Sequence, residues 1–280
     1  MQLSEKEISD LSPFLFTIAY KMTKSVMDAE DILQEVFYEY SKAPAPMASQ
    51  RSYFAKSVIN RSINLLEKKK RVEYPGVDLP EPLVNQKYEF VSDVDISFGL
   101  LILLQKLSPL ERAVFVLKDT FDYGYEELSE ILEISQDYCR QLYHRARERL
   151  KDPKKKYLTT DERKKEFAAA FAKAWMGKQD DLLSFLKNDI TIYADGGGKA
   201  LAAGHPLSGL QLCGKFLYTV HYKRRHEKLK LEPAVVNGMP AIIYRHRTTN
   251  AVDTVALFEV NEGLVQEVYF VRNPDKLQHV

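Results

Sequence analysis

Residues 107–150 read LSPLERAVFVLKDTFDYGYEELSEILEISQDYCRQLYHRARERL, and this stretch decides how the rest of the chain is read. Ser108-Pro109 supplies an N-cap and a first-turn proline. The apolar run Val114, Val116, Leu117 then marks a first helix. A turn falls at Asp122–Gly124, and a second helix carries Leu128, Ile131 and Leu132 on one face. Glu133-Ile134-Ser135 makes a tight turn into a third helix from about Gln136 to Leu150, with Ser135 placed to cap it. Cys139, Leu142 and Ala146 recur at spacings of three and four, so they point inward. Gln136, Arg140, Gln141, His144 and Arg145 point outward.

The last two helices therefore read as a helix-turn-helix. Its outward side chains are types that reach base edges and phosphates in a major groove. From Gln136 to Lys156 there are eight Lys or Arg and three Asp or Glu, a local excess that suits phosphate contact. A plain helical hairpin with a solvated basic face is the alternative. Glu133 falls where the turn calls for a positive φ, at about 1 kcal/mol for a residue with a Cβ; a wider turn would avoid that cost.

The chain has 280 residues, 45% of them hydrophobic, with a formal net charge of +1. That length fits two or three domains, and the charge excludes a wholly basic chromatin-type protein or an acidic solvating tail. The two cysteines, Cys139 and Cys213, lie far apart with no CxxC, which excludes a conventional zinc finger and fits a reducing compartment. No apolar run approaches a membrane span and the N-terminus is no signal peptide, so the expectation is a cytoplasmic protein with no membrane partner. Neither a metal nor a cofactor is expected.

Residues 1–70 look helical. Leu11, Leu15, Ile18 and Met22 share a face. In DAEDILQEVFYEYSK, residues 28–42, Asp28 is the expected cap and Glu30 and Asp31 suit the helix N-terminus. Ile32, Leu33, Val36, Phe37 and Tyr40 form the buried face, leaving Asp31, Gln34 and Glu35 outside. Pro44 and Pro46 make 42–50 a loop. The next helix, Arg51–Lys70, buries Tyr53 or Phe54, Val58, Ile59, Ile63, Leu65 and Leu66. It exposes Arg51, Lys56, Asn60, Arg61 and Asn64 ahead of the basic run 68–71, a mixture suited to opened, single-stranded nucleic acid. A solvated basic helix end is the alternative.

Residues 72–95 carry prolines and a glycine, yet Val72, Tyr74, Val77, Leu79 and Leu83 are apolar, which hints at docking. Beyond Leu150 a basic boundary leads to a cap cluster at 159–161. There follow a helix 162–176 with Phe167, Ala170, Phe171, Ala174 and Trp175 on one side, a short helix 180–186, and a helix 207–222. Strand patterns occupy 189–195, 233–246 and 253–271, with hairpin turns at Asn237-Gly238 and Asn261-Glu262-Gly263. Helices followed by an antiparallel meander read as an α+β domain in which a curved sheet wraps a helix.

DAEDILQEVF (28–37), the basic helix ending at Arg71 and the 107–150 segment lie in the order of regions 2 and 4 of extracytoplasmic-function sigma factors of bacterial RNA polymerase, and the chain resembles that family. LPEPL (79–83), DGGGK (195–199) and NPDKL (273–277) resemble marks of the subgroup with a fused C-terminal SnoaL-like domain, of the nuclear transport factor 2-like cone fold. The resemblance implies a multidomain chain: all-α region 2 at 1–72, a linker at 73–98, an all-α helix-turn-helix region 4 at 99–155, and an α+β cone at 160–280.

It also implies partners, RNA polymerase core (β′ clamp and β flap) and promoter DNA. Asp31, Gln34 and Glu35 would face polymerase. The 42–50 loop with Ser49, Arg51, Asn60, Arg61 and Asn64 would meet the −10 element, and Gln136, Arg140, Gln141, His144 and Arg145 the −35 element. The cone would regulate partly through the linker residues Leu79, Pro80, Glu81, Pro82 and Leu83; Asp195, Gly196, Gly197, Gly198 and Lys199 and Asn273, Pro274, Asp275, Lys276 and Leu277 are its own motif residues, the latter suggesting a docking tail. Two departures stand out: Asp78 replaces the aromatic residue that often precedes LPEPL, and Pro44 and Pro46 enrich the loop.

The cone fold also hosts enzymes, so fold does not settle catalysis. Tyr193, Asp195, Lys199, His205, Tyr244 and His246 are the polar candidates. Asp195 before three glycines reads more simply as the cap of a tight loop, and no catalytic residue is expected. A ligand sensor or enzyme carried on a DNA-binding module, with a small-molecule ligand in the C-terminal domain, is the alternative function. A conventional helix-turn-helix repressor would leave residues 28–71 unexplained.

Overall fold

The computed structural model describes residues 4–42, 49–69, 76–84, 97–150, 160–224 and 229–280, apart from the side chains of 179 and 221–224. They form two compact units. The first holds the described parts of 1–73 and 100–150; the second holds 76–84, 97–99 and the described residues from 160 onward. The 79–83 segment thus belongs to the second unit, while both helical modules share the first.

The first unit is all helical. Helix α1 (Glu5–Thr23) starts in a capping box: Ser4 Oγ accepts from the Glu7 amide, and the Glu7 carboxylate accepts from the Ser4 amide. Every residue from Phe14 to Thr23 is buried, because α1 packs against α2 (Val26–Lys42), α3 (Gln50–Lys69) and α5 (Pro109–Phe115). One apolar stripe was expected; a central helix is buried all round.

Helix α2 is capped by Ser25, whose Oγ accepts from the Asp28 amide at 3.1 Å, so the start lies one turn earlier than Asp28. Ile32, Leu33, Val36 and Tyr40 are buried as expected, and Phe37 is half-buried against Phe54. In α3 Phe54, rather than Tyr53, is fully buried, and Ile63, Leu65 and Leu66 are only half-buried. Of the 42–50 loop, residues 43–48 lie outside the described residues.

Helix α4 (Phe98–Leu104) precedes α5, which carries a second capping box between Ser108 and Glu111. A π-turn, Val116–Thr120, extends α5. Helices α6 (Tyr125–Leu132) and α7 (Gln136–Leu150) form the helix-turn-helix. Glu133 ends α6 at φ 57°, ψ 41°, so the turn is tight and the left-handed cost is accepted. Lys56 Nζ lies 2.7 Å from its carboxylate.

The second unit is a mixed sheet with helices. The strands are β1 (Leu186–Asp195), β2 (Leu207–Ser208), β3 (Leu229–Val236), β4 (Met239–His246), β5 (Val252–Asn261) and β6 (Leu264–Val271), in the order β2-β1-β6-β5-β4-β3. The β3 to β6 meander is antiparallel, and β1 joins β6 in parallel. The helices are α8 (Asp161–Met176), α9 (Gln179–Leu183) and α10 (Leu210–Arg224). The segment from 184 leaves the short helix early and enters β1, and 207–208 is strand rather than the start of α10.

Period-two alternation gives the sheet two unlike faces. One packs Ile190, Ile192, Ile242, Tyr244, Phe258 and Phe270 against Phe171 and Trp175 of α8 and Leu217 of α10. Trp175 Nε1 donates to the Leu217 carbonyl at 2.8 Å, which satisfies the one polar atom of that large side chain. On α8 Ala174 is buried as expected, together with Ala168 and Ala172, while Ala170 is exposed. The other face carries Tyr193, Asp195, Leu257 and Tyr269, and Phe98 packs there with its ring 5.4 Å from that of Tyr269. Among the described residues no helix is long and apolar enough to cross a membrane.

Candidate functional site

Helix α7 presents its polar face because Cys139, Leu142, Ala146 and Leu150 are buried on the other. Gln136, Arg140, Gln141, His144 and Arg145 are all exposed. The face is partly ordered by its own contacts. Arg140 Nη1 lies 2.6 Å from Asp137, and its guanidinium sits 5.0 Å from the Tyr125 ring. Glu111, buried in the first turn of α5, lies 2.6 Å from Arg149 and 3.7 Å from Arg145. One carboxylate thus caps α5 and fixes the azimuth of α7. Reading by helical periodicity alone missed Glu111, which lies outside α7, and the exposed Tyr138. Burial pushes the Cys139 thiol up, consistent with a packing residue.

In α2 Asp31, Gln34 and Glu35 are exposed together one turn apart. On α3 Asn60 and Asn64 are exposed, Ser49 caps the helix by accepting from the Ser52 amide at 3.3 Å, and Arg51 lies over the Phe14 ring at 4.2 Å. Arg61 is placed differently: half-buried, it is bonded to Glu39 and lies 3.8 Å from Glu35. It ties α3 to α2, a position that also brings it beside one of the residues expected to face polymerase.

The third constellation gathers the three short motifs of the second unit. Residues 79–83 are all buried. Asp195, 1% exposed, is their hub. Its Oδ2 accepts from the Leu79 amide at 3.1 Å and from Lys276 Nζ at 2.7 Å, and its Oδ1 accepts from the Gly197 amide at 2.8 Å. Lys276 also donates to Asp78 and to the Leu79 carbonyl. Burial alone would lower the Lys276 ammonium, but the combined pull and hydrogen bonds of Asp78 and Asp195 override it, so its pKa stands above the ordinary lysine value.

The glycines have a steric role. A Cβ on Gly196 would lie 2.0 Å from the Ala200 carbonyl oxygen, and one on Gly197, at φ 61°, would lie 2.2 Å from Asn273. Asn273 in turn caps a 3₁₀ turn, Pro274–Lys276, that aims Lys276 at Asp195. Lys199 and Asp275 close the rim at 2.6 Å, and Leu277 is buried.

The six polar candidates for catalysis do not converge. Tyr193 stacks on Tyr269 with centroids 5.5 Å apart, and Asp195 is engaged by the linker on that same face. Tyr244 lies on the opposite face, its ring 5.8 Å from Trp175. His205 is exposed in a loop, and His246 lies 3.8 Å from Asp253.

Two family models match the chain: Sigma-70 region 2 over residues 8–72, and Sigma-70, region 4 over residues 100–150. Over its length the chain is similar to the ECF RNA polymerase sigma factor SigJ of Mycobacterium tuberculosis, at 30% identity across 296 aligned residues, covering 99% of this chain and 93% of that protein. It is also similar to the probable ECF RNA polymerase sigma factor SigI of Mycobacterium tuberculosis, at 23% identity, covering 94% and 91%. The crystal structure of SigJ superposes with a TM-score of 0.80 at 26% identity, covering 99% of both chains.

Proposed function

Since the chain belongs to the extracytoplasmic-function sigma factors, we propose a division of labour among its parts: two helical modules that engage polymerase and promoter, and a non-catalytic cone that governs them through the linker. As a sigma factor it directs RNA polymerase core to promoter DNA and initiates transcription. The finer assignments are ours. Gln136, Arg140, Gln141, His144 and Arg145 read the −35 element. Asp31, Gln34 and Glu35 meet the β′ clamp, and region 4 also touches the β flap. Ser49, Arg51, Asn60 and Asn64 approach the −10 element, with Arg61 holding α3 to α2 behind them. The protein works in the cytoplasm, beside its polymerase.

The burial of residues 79–83 in the cone's unit carries the regulatory reading. Residues 79–83 lie in sequence between the two helical modules, so an element that holds them is placed to influence both. The non-catalytic reading is supported by the other sheet face, filled by Phe171, Trp175, Tyr244, Phe258 and Phe270, and by the scatter of the candidate acids and bases.

Run-off transcription with core polymerase, read by sequencing the transcript starts, tests both claims. Wild-type protein is expected to give discrete promoter-specific starts, and Lys276→Met to change their yield by loosening the linker. Starts that do not depend on the protein would reject the first claim. A yield unmoved by Lys276→Met would reject the second.

A further inference from the structure

The Asp195 hub holds only the first residue of the 79–83 segment. Its far end is held elsewhere, by residues outside the three motifs. Asn237, 0% exposed, opens the β3–β4 turn at φ 49°. Its Oδ1 accepts from the Leu83 amide at 2.8 Å, and its own amide donates to the Leu83 carbonyl at 2.9 Å. Val84 then forms an antiparallel bridge with Val236. Between the two ends Glu81, 2% exposed, lies with Oε1 2.6 Å from His279 Nδ1.

We infer that Asn237 and His279 complete a peptide-reading clasp, selective for an extended segment with leucines four residues apart and a carboxylate midway between them. Asn237 acts as a strand edge in miniature. Its side-chain oxygen stands in for a backbone carbonyl, so both main-chain groups of Leu83 are paired as in β-strand addition. Prolines at 80 and 82 have no N–H to satisfy and favour extended backbone, so this peptide arrives with little to desolvate. Leu79 and Leu83 are buried at 2% and 0% exposure. Glu81 is the discriminating group: a buried carboxylate is costly unless matched, and His279 matches it. Asn237 is the turn residue because Asn tolerates the left-handed region; the clasp explains why Asn, rather than a second glycine, stands there.

The inference deepens the proposed regulation by the linker, and hydrogen exchange on the full chain separates the two. In Asn237→Gly, which keeps the turn and removes the acceptor, the Leu83 amide is expected to lose about tenfold in protection, the value of one buried hydrogen bond. The Leu79 amide, which Asn237 does not touch, should lose protection by a similar factor, because the segment leaves as one piece. His279→Ala, away from the turn, should lower both amides too. Unchanged Leu83 protection in Asn237→Gly, or loss at Leu83 without loss at Leu79, overturns the clasp. Both amides freed while transcription stays at wild-type yield would uphold the clasp and reject the regulatory role.

Discussion

The two proposed recognition surfaces, the outward face of α7 and the linker clasp, are built in opposite ways. The α7 face is a single helix whose polar side chains are presented to solvent by four buried neighbours, Cys139, Leu142, Ala146 and Leu150. The clasp draws on 78–84, the β1 end with its glycine loop, the β3–β4 turn and 273–279, and its central groups, Leu79, Glu81, Leu83, Asp195 and Asn237, are buried. A surface of the first kind trades side chains at little cost to the fold. One of the second kind is part of the fold, so changing what it reads also changes what holds it together.

That contrast makes its largest demand at Asp195. Replacing it with Ala removes acceptors for the Leu79 and Gly197 amides and one of the carboxylates facing Lys276. Breaking a buried ionic pair on one side typically costs about 3–5 kcal/mol. Asp195→Ala is therefore expected to destabilise the second unit on that scale in denaturant unfolding. A loss under about 1 kcal/mol, the range of an exposed pair, would make the clasp as superficial as the α7 face and break the comparison.

Arg140→Ala is the matching test on the other side. Arg140 is exposed and, among the described residues, pairs locally with Asp137 and the Tyr125 ring. Its loss is expected to leave unfolding within about 0.5 kcal/mol of wild type. Discrimination at one −35 position should fall by about 1–3 kcal/mol, the value of a bidentate base contact. Binding titrations against promoter variants measure that difference. Unchanged selectivity would remove Arg140 from the reading set.

The same contrast governs what could be read from the residues in order. Helical faces follow from spacing within one element, so the α7 face and the exposed Asp31, Gln34 and Glu35 were legible. Ser25 and Asp28 are both good caps three residues apart, and only the hydrogen bond chooses between them. Arg61 resembled its exposed neighbours Asn60 and Asn64, and its pairing with Glu35 and Glu39 depends on how α2 meets α3. The parallel β1–β6 pairing joins strands about seventy residues apart, across a helix and a meander, and no local pattern announces it. Apolar residues in a proline-rich stretch did signal that 79–83 docks, while Asn237 read only as a turn residue and His279 carried no signal. Their roles arise from contacts more than 150 residues away in sequence.

The finest expected difference is in pH response, where the two units titrate at opposite ends. In the first unit the Glu7 carboxyl is held down, to about 2 from an ordinary 4.5, by hydrogen bonds from the Gln50 side chain and from Ser4. A carboxyl with a depressed folded value contributes stability that is present above 4.5 and lost as pH falls toward 2. The α1 cap should therefore loosen across that interval, and Glu7→Gln should flatten the response. In the second unit the Lys276 ammonium is raised above its ordinary 10.5. Its contribution is complete below 10.5 and lost as pH rises through the higher folded value. Linker protection at Leu79 should hold through neutral pH and fall only in strong alkali, and Lys276→Met should abolish that alkaline step while leaving the acid one at α1. A Leu79 amide that stays protected at alkaline pH in the wild-type chain would show that Asp195, without the lysine's charge, holds the linker unaided.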